Sequence, residues 1–232
     1  PFGGVVPNLA KREHIKHLPL LYEKISGGKN LKVDAIAVTV GPGLEPALWT
    51  GIEFAKVLSK TLKKPIIAAS HLDGHLYSAL LSKKLMKKDF PAIALIVSGG
   101  HTILLLVKDL AHIKKLGETV DDAAGEAFDK VARMLQLEYP GGPEVEKLAK
   151  KGNGAAIAFP RPMLNQKNYQ FSCSGLKTSV LYFLQKQNAP DQKMKADIAA
   201  SFQMAAIEVL VKKAMRATKE FGAKSILLSG GV

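Results

Sequence analysis

The sequence predicts an α/β protein, and three observations predict it. Apolar runs of strand length recur at 33–40 (VDAIAVTV), 65–69 (PIIAA), 92–97 (AIALIV) and 225–228 (SILL). Segments with apolar residues at helical spacing lie between them. Two of the strands end in the same device, Ser98-Gly99-Gly100 and Ser229-Gly230-Gly231, about 130 residues apart.

Composition sets the bounds. The 232 residues are 47% hydrophobic, enough for one large or two moderate domains. No apolar run approaches the ~18–20 residues of a membrane span. The single cysteine, Cys173, excludes a disulfide within the chain, and a reducing cytoplasm is the expected setting. Thirty-three basic against 20 acidic side chains give a net charge of +13. The lysines fall largely in scattered pairs, such as Lys63-Lys64 and Lys212-Lys213, and do not form a basic tail. That pattern suits a folded surface with a positive field for a polyanion such as RNA, and it suits a lysine-rich proteome equally. The chain opens at Pro1 with no methionine and stops just after a strand and its glycine loop, so a fragment truncated at both ends is expected.

Taken in order, residues 9–26 read as an amphipathic helix bearing His14 and His17. These are three apart with no acid after the first, so they are surface histidines and not the zinc-protease pattern. A buried strand at 33–40 turns through Gly41-Pro42-Gly43 into a helix with Pro46 in its first turn and Leu48, Ile52, Ala55 and Leu58 at helical spacing. A second buried strand at 65–69 leads to Ser70, a helix N-cap, with Asp73 three residues on as a capping-box acid. The helix that follows runs to about residue 81 and carries His71 and His75 one above the other. Two imidazoles at this spacing can hold one metal ion, or simply begin a polar helix. The charged stretch 83–89 marks a boundary between an N-terminal lobe, 1–88, and a C-terminal lobe, 89–232.

Strands at 92–97 and 103–107 form a hairpin around Ser98-Gly99-Gly100. The backbone N–H groups of such a corner can face a phosphate with no Cβ in the way, although a plain turn would look the same. Its recurrence at residues 229–231 favours the phosphate. Residues 119–137 read as a helix in which Asp121 and Asp122 suit the first-turn dipole. Asp129 lies too far along for that and is either a surface acid paired with Arg133 or a ligand contact. Residues 139–143 (YPGGP) form a rigid loop that allows close approach of a flat ligand, or a helix-ending turn. A polar loop at 152–170 precedes a helix at 176–187 and a long core helix at 196–221. Cys173 has no histidine near it in sequence and is expected to pack.

Eight segments taken together resemble a known family: GGVVP at 3–7, VGPGL at 40–44, HLDGH at 71–75, VSGGHT at 97–102, DDAAGEAFDKVARML at 121–135, YPGGP at 139–143, FSCSGLKT at 171–178 and SGGV at 229–232. In this order they look like the TsaD/Gcp family, the bacterial tRNA threonylcarbamoyladenosine synthase subunit. The resemblance implies an actin-like, sugar-kinase-like (ASKHA) fold of two lobes, each of mixed sheets flanked by helices, with the active site in the cleft. It implies transfer of threonylcarbamoyl from threonylcarbamoyl-AMP to the adenosine beside the anticodon, releasing AMP. By similarity His71 and His75 ligate one divalent metal, iron first and zinc second. The segment Ile96, Val97, Ser98, Gly99 and Gly100 would cradle the phosphate and acyl-phosphate end. Asp129 would bind the ribose hydroxyls, Gly142 would lie against the nucleoside, and Glu146 would add a ribose contact. The implied partners are tRNA, a TsaB-like paralogue and a TsaE-like ATPase, with no membrane. No side chain is named as general base.

The chain also departs from the family. The family's first strand and acidic phosphate loop would precede Pro1, and a carboxylate metal ligand would follow Val232. Cys173 stands where many relatives carry an aromatic residue. Three other functions remain to be weighed. A metal-dependent glycoprotein endopeptidase could use the histidine pair but has no glutamate placed beside it. A non-catalytic nucleotide-binding scaffold would need no such pair, and a small-molecule kinase fits the glycine loops but not the histidines.

Overall fold

The computed structural model describes residues 6–29, 31–79, 86–187 and 189–232. The chain divides into two compact units, Pro1–Tyr77 and Ser78–Val232. The division falls eleven residues before the 88/89 boundary expected from the charged stretch, part of which (83–85) lies outside the described residues. Among the described residues no helix is long and apolar enough to cross a membrane.

In the first unit, α1 (Pro7–Ser26) starts on a proline, whose missing N–H costs nothing at that position, and ends on left-handed Gly27. It packs on α2 (Glu45–Leu62), where the rings of Tyr22 and Phe54 meet edge to face at 6.3 Å. Strands β1 (Ile36–Gly41) and β2 (Ile66–Ser70) pair in parallel, Ile36 opposite Ile66, with α2 as the connection. The sequence reads both strands as buried. They form as expected, but Ile66 and Ile67 are 40% and 54% exposed. Two strands with one covering helix have too few neighbours to enclose both faces. From Ser70 the chain enters α3 (His71–Ser78). The expected extension of this helix to residue 81 falls partly outside the described residues.

The second unit is a mixed four-stranded sheet in the order β5-β4-β3-β6. Strand β3 (Ala92–Val97) turns back into antiparallel β4 (Thr102–Val107), and β4 into β5 (Ile113–Glu118). Strand β6 (Ser225–Ser229) returns to lie parallel to β3, Ile96 opposite Ser229. All six residues of β3 are buried, as the unbroken apolar run requires. Its core joins Ile93, Leu95 and Val97 to Phe128 and Val131 of α4 (Ala124–Met134), Val145 of α5 (Gly141–Ala149), Leu176 and Val180 of α6 (Ser174–Gln185), and Ile198, Phe202 and Val209 of α7 (Gln192–Glu220).

Several boundaries differ from the sequence reading. The helix expected from residue 119 begins at Ala124. Residues 119–120 are drawn off instead: the Thr119 N–H donates to the Thr102 carbonyl (2.8 Å) and the Val120 N–H to the Phe171 carbonyl (2.9 Å). The rigid loop expected at 139–143 becomes helix from Gly141 onward, because a carboxylate from α4 satisfies the first N–H of α5. Strand β5 was not expected, since IKKLGE lacks an apolar alternation. Helix α7 starts at Gln192, earlier than 196, because Asp191 caps it by accepting from the Met194 N–H (2.7 Å).

The irregular stretch 152–170 is laced along α7. The Asn153 N–H donates to Asp197 (2.7 Å), the Ile157 N–H to Ser201 (3.1 Å), and Arg161 Nε to Glu208 (2.8 Å). Further along, Lys213 and Arg216 donate to carbonyls of residues 166–170, and the Tyr169 hydroxyl donates to Glu220 (2.6 Å).

Candidate functional site

In the first unit, the end of β2 aims α3. The Ser70 hydroxyl accepts from the Asp73 N–H (3.3 Å), as its sequence position predicts. One helical turn then stacks His71 and His75, with ring centroids 4.6 Å apart and planes at 68°. A nitrogen of one ring lies within 4.8 Å of a nitrogen of the other. Metal–nitrogen bonds of about 2.0–2.1 Å would span that gap after a small side-chain rotation. His75 is half-buried and His71 exposed. Burial, and then the neighbouring His71, push His75 below the usual imidazole range. The neutral ring is the form that ligates. The pair therefore fits two positions in the coordination sphere of a borderline cation such as iron or zinc.

In the second unit, the expected phosphate corner is built by reciprocal hydrogen bonds. The Ser98 N–H donates to the His101 carbonyl (2.8 Å), and the Ser98 hydroxyl accepts from the His101 N–H (3.1 Å). The N-terminus of α4 docks on this corner. The Ala124 N–H donates to the Thr102 hydroxyl (2.8 Å), which is fully buried, and the Gly125 N–H reaches the Ser98 carbonyl (3.3 Å). A β-carbon at Gly125 would lie 2.8 Å from both Gly99 Cα and the Ser98 oxygen, so only glycine permits the approach. The parallel pairing of β3 with β6 brings the second glycine segment alongside the first. Gly230 takes a φ of +110°, and a β-carbon there would fall 1.9 Å from the Val97 oxygen. By contrast, a β-carbon at Gly99, Gly100 or Gly231 would meet nothing within 4 Å. Those glycines face open space beside a helix N-terminus and the carboxyl ends of two parallel strands, a setting that favours an anion. Ile96 and Val97 are buried, so any contact they offer a ligand is through the backbone.

Four residues along α4 from Gly125, about 6 Å of rise, stands Asp129. Its Oδ1 accepts from the Gly141 N–H at the start of α5 (2.8 Å). Gly142 follows with open space where a side chain would be. One further turn along α5, Glu146 is exposed and paired with Lys150 (2.7 Å), which holds its carboxyl below the usual range. The structure thus places Asp129 and Gly142 together at the α4–α5 junction. It places the two glycine corners together at the start of α4.

Sequence reasoning missed Thr102 and Gly125, and it misassigned Asp121 and Asp122. The two acids do not serve the dipole of their own helix. The Asp121 carboxylate sits at the N-terminus of α6, accepting from the Ser172 hydroxyl (2.6 Å) and the N–H groups of Cys173 (2.8 Å) and Ser174 (3.1 Å). Burial opposes its ionisation, but these donors outweigh it and its pKa lies below the usual range. Asp122 bridges Lys130 (2.8 Å) and Lys177 (2.7 Å). The clue in the sequence was the lysine of SGLKT, which has no acid of its own nearby. Cys173 packs as expected: burial first, then Asp121 and Asp122, push its thiol up to about 12.

Comparison with known proteins gives the family. The profile of a family described as TsaD, tRNA N6-adenosine threonylcarbamoyltransferase, matches residues 1–232. The tRNA N6-adenosine threonylcarbamoyltransferase of Thermosipho africanus is 51% identical over 234 residues, covering all of this chain and 70% of that relative. The protein of the same name from Ralstonia pickettii is 49% identical over 238 residues, covering all of this chain and 68% of its own length. That from Moorella thermoacetica is 49% identical over 235 residues, with the same two coverages, 100% and 68%.

Proposed function

The chain belongs to the TsaD family of tRNA N6-adenosine threonylcarbamoyltransferases, and from that premise we propose how its residues carry out the transfer. The protein is a transferase that modifies tRNA. In the reaction, the N6 amine of an adenosine beside the anticodon attacks the carbamoyl carbon of threonylcarbamoyl-AMP. A C–N bond forms, the bond from that carbon to the phosphate oxygen breaks, AMP leaves, and the amine gives up one proton. An exocyclic amine is a weak nucleophile and phosphate carries the leaving charge. Catalysis is therefore chiefly positioning and charge stabilisation.

The observation that carries the assignment is the meeting of both Ser-Gly-Gly corners at the N-terminus of α4. Backbone N–H groups there hold the phosphate and stabilise it as AMP departs, with the helix dipole adding to them. Asp129 takes the ribose hydroxyls, Gly142 lies against the nucleoside, and Glu146 adds a contact from the next turn of α5. His71 and His75 hold one divalent metal, iron or zinc, which when bound supplies Lewis-acid polarisation. The net charge of +13 supports tRNA as the polyanion. An actin-like, sugar-kinase-like fold, a cytoplasmic setting, and a TsaB-like paralogue and TsaE-like ATPase as partners complete the proposal.

The test is an assay with threonylcarbamoyl-AMP, tRNA and the two partner proteins, beside a glycoprotein cleavage control. Threonylcarbamoylated tRNA with intact glycoprotein is expected. Cleavage of the glycoprotein without tRNA modification would overturn the reading in favour of an endopeptidase.

A further inference from the structure

We propose that Gly141 is a positioning residue for the nucleoside: its N–H pins one oxygen of the Asp129 carboxylate, and so turns the other toward the ribose. The proposal rests on the reading of Asp129 as the ribose contact. The terminal torsion of an aspartate is broad and roughly two-fold, so a free carboxylate would present its oxygens in many directions. Here Oδ1 is held by the Gly141 N–H at 2.8 Å, a charge-assisted bond at the start of a helix. Fixing one oxygen fixes the plane and hence the direction of the second.

Only glycine can make this contact. A β-carbon at residue 141 would lie 2.5 Å from Ala132 Cβ and 2.8 Å from Asp129 Cα. Any larger residue would push the start of α5 off α4 and withdraw the donor. The two glycines of YPGGP therefore divide the work. Gly141 allows two helices to touch, and Gly142, with open space beside it, leaves room for the ligand. The N-cap residue of α5, Pro140, has no side chain to cap the helix, so Asp129 caps it from the neighbouring helix.

The experiment replaces Gly141 in the enzyme by glycolic acid, an ester that deletes the N–H and changes no shape. The readout is the ratio of affinities for AMP and 2′,3′-dideoxy-AMP. The Asp129→Ala variant should lower that ratio to what the Glu146 contact alone sustains. A ratio that Asp129→Ala leaves unchanged would overturn the ribose reading itself. The ester should weaken AMP binding about tenfold, as loss of a hydrogen bond to a charged group does, and leave dideoxy-AMP binding as it was. A full ratio in the ester, with the ratio lowered in Asp129→Ala, would overturn the role of Gly141 and leave that of Asp129 standing. Gly141→Ala should show the same fall in ratio, with a lower melting temperature from the clash.

Discussion

At the scale of single residues, the strongest expectation concerns the histidine pair. Their spacing on one helical face was legible in the sequence, and the stacked rings follow from it. Replacing His71 and His75 by alanine should leave the fold intact, because His71 is exposed and α3 keeps its Ser70 cap. Metal content, read by elemental analysis, should fall to background, and tRNA modification should fall about 100-fold or more. Undiminished modification by a metal-free variant would remove the metal from the proposal. Cys173 gives the opposite kind of expectation. With its thiol pushed up to about 12, roughly one molecule in ten thousand carries a thiolate at pH 8. Iodoacetamide should label it orders of magnitude more slowly in the folded protein than in urea. Rapid labelling under native conditions would show that the residue is not sealed in the core.

At the scale of elements, α4 ties the two halves of the proposed nucleotide site together. Its first turn closes on the Ser98 corner, and Asp129, four residues past Gly125, closes on α5. Gly125→Ala pits two effects against each other. Removing glycine from a helix is worth about 1 kcal/mol, but forcing a methyl group against packed backbone costs about 1–3 kcal/mol. The β-carbon would lie 2.8 Å from backbone atoms that have little freedom to yield, so the clash should win. A lower denaturation midpoint and weaker AMP binding are expected. Gly142→Ala should separate the two quantities: open space surrounds it, so stability holds while AMP affinity drops. Unchanged affinity in that variant would place the nucleoside elsewhere.

The same elements show how far the sequence could be read. Helices α1, α2 and α7 and strands β3, β4 and β6 announce themselves by apolar period, because tertiary context only reinforces what periodicity dictates. The starts of α4 and α5 do not. Both are set by hydrogen bonds from distant residues, Thr102 and Asp129, which no local window contains. Strand β5 hid because a charged edge strand takes its order from the ladder with β4. In the candidate site, the glycine corners and the histidine pair were visible as motifs. The grip of Asp121 on α6 was not, since its partners lie 51–53 residues away.

At the scale of the whole molecule, net charge decides how the protein meets its substrate. An excess of 13 positive charges should draw in tRNA from a distance and make binding steeply salt-dependent. If about four phosphates are contacted, raising KCl from about 50 to 200 mM should weaken tRNA binding roughly 100-fold. Filter binding across that range measures the slope, and a slope near zero would rule out an electrostatic footprint. AMP binding, which engages one phosphate, should change far less.

The lacing of residues 152–170 onto α7 has a consequence for the order in which the chain assembles. Those contacts join residues 43–51 apart in sequence and run from an irregular segment to a regular helix. The segment has no repeating backbone ladder of its own, so it can settle only after the helix exists as a template. It emerges from the ribosome before that template does, and must wait unshaped for some forty residues of further synthesis. The residues just after it, 171–174, then supply the Phe171 bridge to Thr119 and meet the Asp121 carboxylate at the start of α6. The surroundings of the proposed nucleotide corner are thus finished late, once α7 has formed.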